Sequence, residues 1–219
     1  MWSSEVTNMI ITGIWETLYM TLVSTLVGYV IGLPMGIILT VSDKDGIKPN
    51  AVLYKILDVI ANIVRSVPFI ILLVLLIPFT RLVVGKSYGS TATIVPLVIA
   101  AAPYIARMVE SSLKEVDAGV IEAARSMGAS NFTIITKVML VEARTSLLVG
   151  ATITLGTILG YSAMSGAVGG GGLGAIAIRY GYTRWQTDIM IVTVILLIIL
   201  FQIFQTAGMK LADKFDHRK

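Results

Sequence analysis

The sequence predicts an all-α integral membrane protein with five transmembrane helices, and three observations carry that prediction. Of 219 residues, 56% are hydrophobic and only 14% charged, and the mean hydropathy is +0.86, whereas a soluble domain carries about a quarter charged residues. The charges that exist are clustered, leaving long intervals with none. Lys and Arg also fall in very unequal numbers on the two sides of those intervals. Together these exclude a soluble enzyme, a disordered tail and a nucleic-acid-binding domain. Cys is absent, which removes disulfides, a cysteine zinc cluster and a thiol nucleophile from consideration.

Each span follows from a charge-free interval long enough for a crossing of roughly 20 residues. The first, over residues 9–41, contains Thr17 to Ser42, 26 positions without a charge. A helix from Met9 to Thr40 would be about 48 Å long against a hydrocarbon core of about 30 Å. It must therefore tilt or project, with Pro34 marking a place for a kink. The second span, 57–80, holds Arg65 near its start, where a long side chain can snorkel to the interface. The third, 88–112, contains the 20 uncharged residues from Ser87 to Ala106. Between Arg144 and Arg179 lie 34 uncharged residues, too many for one crossing, and Gly169 to Gly172 interrupt them. The fourth span is placed at 132–168, its apolar part beginning at Thr145, with a loop after it. The fifth, 188–210, contains the 21 uncharged residues from Ile189 to Met209. Gly28, Gly32 and Gly36 form a small-residue stripe on the first span, and Gly156 and Gly160 repeat it on the fourth. Such stripes let another helix approach closely, within one bundle or across a dimer seam.

Orientation follows from Lys and Arg. One side receives 13 of the 17, among them Lys44, Lys114, Arg125, Arg144, Arg218 and Lys219, and the other only Arg81, Lys86, Arg179 and Arg184. By the positive-inside rule the N-terminus lies outside and the C-terminus in the cytoplasm. The pI near 9.3 is thus an orientation signal. The start, Met1 to Asn8, has Glu5 and no basic residue, which does not read as a signal peptide.

Several chemical motifs match in form and fail in context. Gly85-Lys86-Ser87 lacks the glycine a phosphate-binding P-loop needs five places earlier, where Thr80 stands, and it lies outside the cell. Gly169, Gly171 and Gly174 spell G-x-G-x-x-G with no preceding strand. The glycosylation acceptor at Asn131 faces the cytoplasm. His217 is the only histidine and sits in a charged tail, so no histidine metal cluster or triad can be assembled. No catalytic chemistry, cofactor or metal site is expected in the chain.

The segment from Lys114 to Arg144 is the longest that cannot be membrane. Asp117 can cap a short helix over 118–128, and Gly128 is a natural terminator. Ile121, Ala124 and Arg125 share one side of it and Glu122 and Ser126 another. Ser130 can cap the helix leading into the fourth span. The residues alone leave two readings open: a helix that docks into a partner's groove, or an ordinary interfacial connector.

Glu122-Ala123-Ala124, three residues, Gly128, and then Val138-x-Leu140 resemble the EAA loop of ABC importer permeases. The family pattern ends in Leu-Pro, where this chain has Leu140-Val141. Gly13 to Leu18 is similar to the opening of the permease domain. Arg65-Ser66-Val67-Pro68-Phe69-Ile70 with Ile77-Pro78-Phe79-Thr80-Arg81 resembles the methionine-permease subfamily, as do Ala102 to Glu110 and Gly160 to Met164.

The resemblance implies a type I ABC importer fold in a bacterial inner membrane. It implies a homodimer of this chain above two ABC ATPase subunits that bind ATP and Mg, with methionine delivered by an extracytoplasmic binding (lipo)protein. Glu122 and Arg125 would contact the ATPase, and Ala123, Ala124 and Gly128 would permit close approach. Met164 aligns with a methionine that closes the pathway in the inward-facing state, plain helix packing being the other reading. Arg107 and Glu110 are expected to form an interfacial ion pair within or between subunits. Gly169 to Gly174 is expected to be a flexible outer loop near the binding-protein dock, or simple filler. The rival readings are a permease for another amino acid or small peptide, a channel without an ATPase, and a membrane scaffold.

Overall fold

A computed structural model of the chain describes residues 4–215; His217, Arg218, Lys219 and the first three residues lie outside that range. Among the described residues every regular element is helical. The longest is α1 (Ser4–Ser42), 39 residues that run on unbroken through Pro34. Its buried side is small and polar, with Thr17, Thr21, Ser24, Thr25, Gly28, Gly32 and Gly36. Its exposed side carries Leu22, Leu26, Val30 and Ile31. A soluble helix has the opposite pattern; in lipid the apolar residues face outward, and close packing between small residues holds the helices together. Thr17 and Thr25 satisfy their hydroxyls within the helix, Thr17 donating to the Gly13 carbonyl at 2.8 Å and Thr25 to that of Thr21 at 2.7 Å, whereas the buried hydroxyls of Thr21 and Ser24 have no hydrogen-bond partner among the described residues.

The glycine stripe of α1 faces α5 (Ser90–Lys114) of the same chain. A Cβ on Gly32 would stand 2.6 Å from the Ala102 carbonyl oxygen, and one on Gly36 2.6 Å from that of Ala106. A Cβ on Gly156 would stand 2.6 Å from the Phe201 ring, whereas one on Gly160 would meet nothing within 4 Å. The apolar core lies along α5, where Leu97, Ile105, Val109 and Leu113 are buried with Met20 and Ile158.

The second span is not a single helix. The region is divided into α2 (Ala51–Ser66), α3 (Phe69–Leu75) and α4 (Ile77–Val84), with α2 and α3 bent by 102°. Pro68 has no N–H to give and forces Val67 into extended backbone, φ −82° and ψ 125°, which ends α2. Asn50 caps the start of α2, accepting from the Leu53 amide at 3.1 Å. Four helical stretches are long and apolar enough to cross a membrane, and the bent α2–α3 pair makes five.

The connector after α5 contains α6 (Ala118–Ser126), α7 (Asn131–Thr133), a π-helical stretch (Ile134–Met139) and α8 (Leu140–Glu142). A break at Ala143 then leads into α9 (Arg144–Ser165). The entry to the fourth span is therefore shaped by the π segment and this break, without the proline of the family pattern. The glycine segment is not loose either. After a 3₁₀ turn (Gly166–Val168), α10 (Gly172–Ile176) and a second π stretch (Ala177–Tyr182) carry the helical path on to Tyr182. The glycines serve close approach: Cβ atoms on Gly166 and Gly174 would lie 2.3 Å from the Ala175 nitrogen and 2.1 Å from the Ala163 oxygen. Finally α11 (Thr187–Lys214) returns across the bundle.

Candidate coupling and gating site

The candidate coupling site is built on α6. Asp117 caps it, its carboxylate accepting from the Gly119 amide at 2.8 Å. Gly128 ends it in the left-handed region at φ +81°, a conformation that costs other residues roughly 1–2 kcal/mol. Ser130 caps the next turn, accepting from the Thr133 amide at 3.2 Å. The helix is seated on the bundle by apolar burial: Ala124, Ile134, Met139 and Ala143 join Leu113 in the core.

That seating sorts the motif residues. Glu122, Ala123 and Gly128 are exposed, and Ala124 is buried, so Ala124 fixes α6 to its own chain instead of facing outward. Arg125, although exposed, is tied to its own chain, donating from Nη2 to the Ile47 carbonyl in the α1–α2 connection at 2.8 Å. Sequence reasoning missed Met127 and Phe132, exposed by 82% and 74%. Val120 on α6 is exposed as well. The signal was available, since large apolar residues on a segment outside the membrane suit a covered surface.

Behind α6 an ion network joins three helices. Arg107 donates from Nη1 to Glu110 at 2.7 Å and from Nη2 to Asp58 on α2. Lys114 bridges Glu110 at 2.8 Å and Asp43, at the inner end of α1, at 2.6 Å. Tyr54 adds a weaker hydroxyl contact to Glu110 at 3.4 Å. The Arg107–Glu110 pair thus lies within one subunit, and the Glu110 side chain is only 7% exposed. The Lys114 ammonium, by hydrogen bonding, holds the Asp43 carboxyl below the usual carboxylate range. The last turn of α5, the root of α6, is thereby fastened to α1 and α2.

The gate residue of the sequence reading, Met164, stands one residue before the end of α9 and is 51% exposed. Its neighbour Ala163 lies directly under Gly174 of α10. A G-x-G-x-x-G series here has neither strand nor nucleotide-type turn around it, and it forms a packed elbow.

Comparison with known proteins places this arrangement. The family model described as "binding-protein-dependent transport system inner membrane component" matches residues 28–214. The chain is 49% identical over 217 residues to a probable D-methionine transport system permease protein MetI of Vibrio cholerae, covering 99% of this chain and 96% of that one. It is 52% identical over 158 residues to the D-methionine transport system permease protein MetI of Escherichia coli K12, covering 72% of this chain and 73% of that one. Among solved structures it matches a chain of the MetNI methionine ABC transporter in an inward-facing conformation, with a TM-score of 0.96 and 50% identity over 99% of this chain and 100% of that one. A chain of an amino acid ABC transporter with histidines has a TM-score of 0.74 at 22% identity, over 98% of this chain and 96% of that one, and shares the fold. An all-helical bundle with an exposed EAA helix at its basic end and a family match over most of its length belongs, therefore, to the inner membrane components of binding-protein-dependent transport systems.

Proposed function

We propose that this chain is the permease subunit of an ATP-driven methionine importer, spanning a bacterial inner membrane. Two copies form the pathway, and two ABC ATPase subunits bind ATP and Mg beneath them. An extracytoplasmic binding protein delivers methionine and selects it, since the spans carry few charged groups for an amino acid's carboxylate and ammonium. The chain itself contributes no ATP site.

The observation that carries the reading is α6: a capped helix, seated on the core through Ala124, with Glu122, Ala123 and the following Met127 and Gly128 exposed. ATP must bind one conformational state more tightly than the other to drive the cycle. When ATP draws the ATPases together, α6 moves with them, and the network around Lys114 passes that motion to α1 and α5. Met164 closes the pathway as a hydrophobic constriction, which a flexible thioether suits.

The test is co-purification of the permease with its ATPase, followed by uptake of labelled methionine into proteoliposomes containing the binding protein. Glu122→Lys or Gly128→Trp should abolish association and uptake together. A complex that survives both substitutions, or uptake that needs no ATP, refutes the importer reading in favour of a channel or scaffold.

A further inference from the structure

The family resemblance gave Glu16 and Thr17 no task, yet both hold the glycine elbow. Glu16 sits in the outer part of α1, at the edge of its long uncharged interval. Its Oε2 accepts from the Gly172 amide at 2.7 Å, and the adjacent Thr17 Oγ1 accepts from the Leu173 amide at 2.9 Å. These are the first two amides of α10, which a helix start leaves without partners of its own. The acceptors come from 156 residues away in sequence.

Space around the elbow is as tightly specified as its bonds. A Cβ on Gly171 would lie 2.9 Å from Glu16 Oε2, and one on Gly172 2.7 Å from Thr17 Oγ1. Both residues hold positive φ, +88° and +73°. The elbow is held from α5 as well: Thr93 donates to the Gly170 carbonyl at 3.2 Å, and the Gly89 amide to the Gly169 carbonyl at 2.8 Å. On its other side α10 rests against the end of α9. Gly174 leaves no room for a methyl group over Ala163, nor does Gly166 beneath Ala175. Any shift of α10 must therefore move the backbone that carries Met164.

We propose that Glu16 and Thr17 are positioning residues for the gate: they hold α10 in place, and through it they set where Met164 stands. The proposal rests on the reading of Met164 as the gate. The same helix α1 meets Lys114 through Asp43 at its inner end and is followed by the Ile47 carbonyl that receives Arg125. One rod therefore contacts both the coupling region and the elbow above the gate.

The experiment uses the full permease–ATPase complex in lipid and three variants, Glu16→Ala, Glu16→Gln and Met164→Ala. Hydrogen exchange over residues 169–176 reads the clamp directly. Loss of a bond to a carboxylate should speed exchange of the Gly172 and Leu173 amides by about tenfold or more in Glu16→Ala. Glu16→Gln keeps an acceptor oxygen and should restore most of the protection. Substrate-independent ATP hydrolysis and passive methionine leak read the gate, and both should rise in Glu16→Ala by a factor comparable to that in Met164→Ala. Unchanged exchange in a folded, assembled Glu16→Ala complex overturns the clamp. Faster exchange with wild-type leak and hydrolysis, while Met164→Ala leaks, overturns the positioning role. If Met164→Ala itself is silent, the gate reading has failed and the link to it falls, and the exchange result alone then decides the clamp.

Discussion

Replacing Gly32 by Ala tests whether the α1–α5 contact is as close as its geometry requires. The added methyl carbon would stand 2.6 Å from the Ala102 carbonyl oxygen and 2.7 Å from Ile105 Cβ. The first obstacle is backbone, so no rotamer change relieves it. Ordinary contact begins at 3.4 Å, so the helices have to separate locally by roughly 0.8 Å, loosening Ile105 and Val109 as well. Overpacking of this kind costs about 1–3 kcal/mol, and an unyielding backbone argues for the upper part of that range. Against it stands the helix-propensity gain of about 1 kcal/mol for Ala over Gly. The net expectation is a loss of about 1–2 kcal/mol, which for a chain of this size lowers the melting temperature by roughly 2–8 °C. Gly28→Ala is the internal control. Its nearest atoms are the side-chain carbons Ala101 Cβ and Ile105 Cδ1 at 3.0 Å, of which the latter can rotate away, so cost and gain nearly cancel. Thermal unfolding of the purified protein in detergent measures both. A Gly32→Ala protein that melts at or above the wild-type temperature, or below which Gly28→Ala falls, refutes the packing argument. Combined with Gly36→Ala, which demands the same displacement, the loss should be less than additive.

Three further outcomes are expected. Arg107→Met leaves the buried Glu110 with Lys114 as its one remaining cation and Asp58 with none. It should cost about 2–3 kcal/mol, below the usual range for a broken buried pair because Lys114 remains. Glu110→Gln should cost less, since Arg107 keeps Asp58 and Lys114 keeps Asp43; the reverse order in melting experiments counts against the network. Gly128→Val places a β-branched residue at φ +81° with open space around it, so strain alone should fray α6. ATPase co-purification should drop, and Gly128→Asn should retain most of it. Asp43 has a depressed pKa in the folded state. Its contribution is present above the ordinary carboxylate value of about 3.9 and is lost as pH falls through the lower folded value. Asp43→Asn should therefore lower the melting temperature equally at pH 5 and pH 8, with the difference shrinking only below about pH 4. A difference that varies between pH 5 and 8 would point to another titrating group.

What the sequence determined by itself is what depends on composition and on near neighbours. Free energy of transfer into lipid is a property of each segment, so charge-free intervals located the long apolar helices and the bias of Lys and Arg their orientation. Caps are equally local, and Asp117 and Ser130 perform the roles their positions suggest, each accepting from an amide two or three residues ahead. The EAA residues singled out α6. Only the tertiary structure decided which of them face outward. Ala124 and Arg125 are engaged by their own chain, Ala124 in the core cluster with Leu113 and Ile134 and Arg125 by the carbonyl of Ile47, 78 residues away. It also decided the fate of the glycines. A glycine-rich run is compatible with a mobile loop or with contact too close for a side chain, and the difference lies wholly in what stands opposite. Here Glu16 and Thr17 stand opposite, 156 residues away, and no local pattern can register a partner that only folding brings within 3 Å.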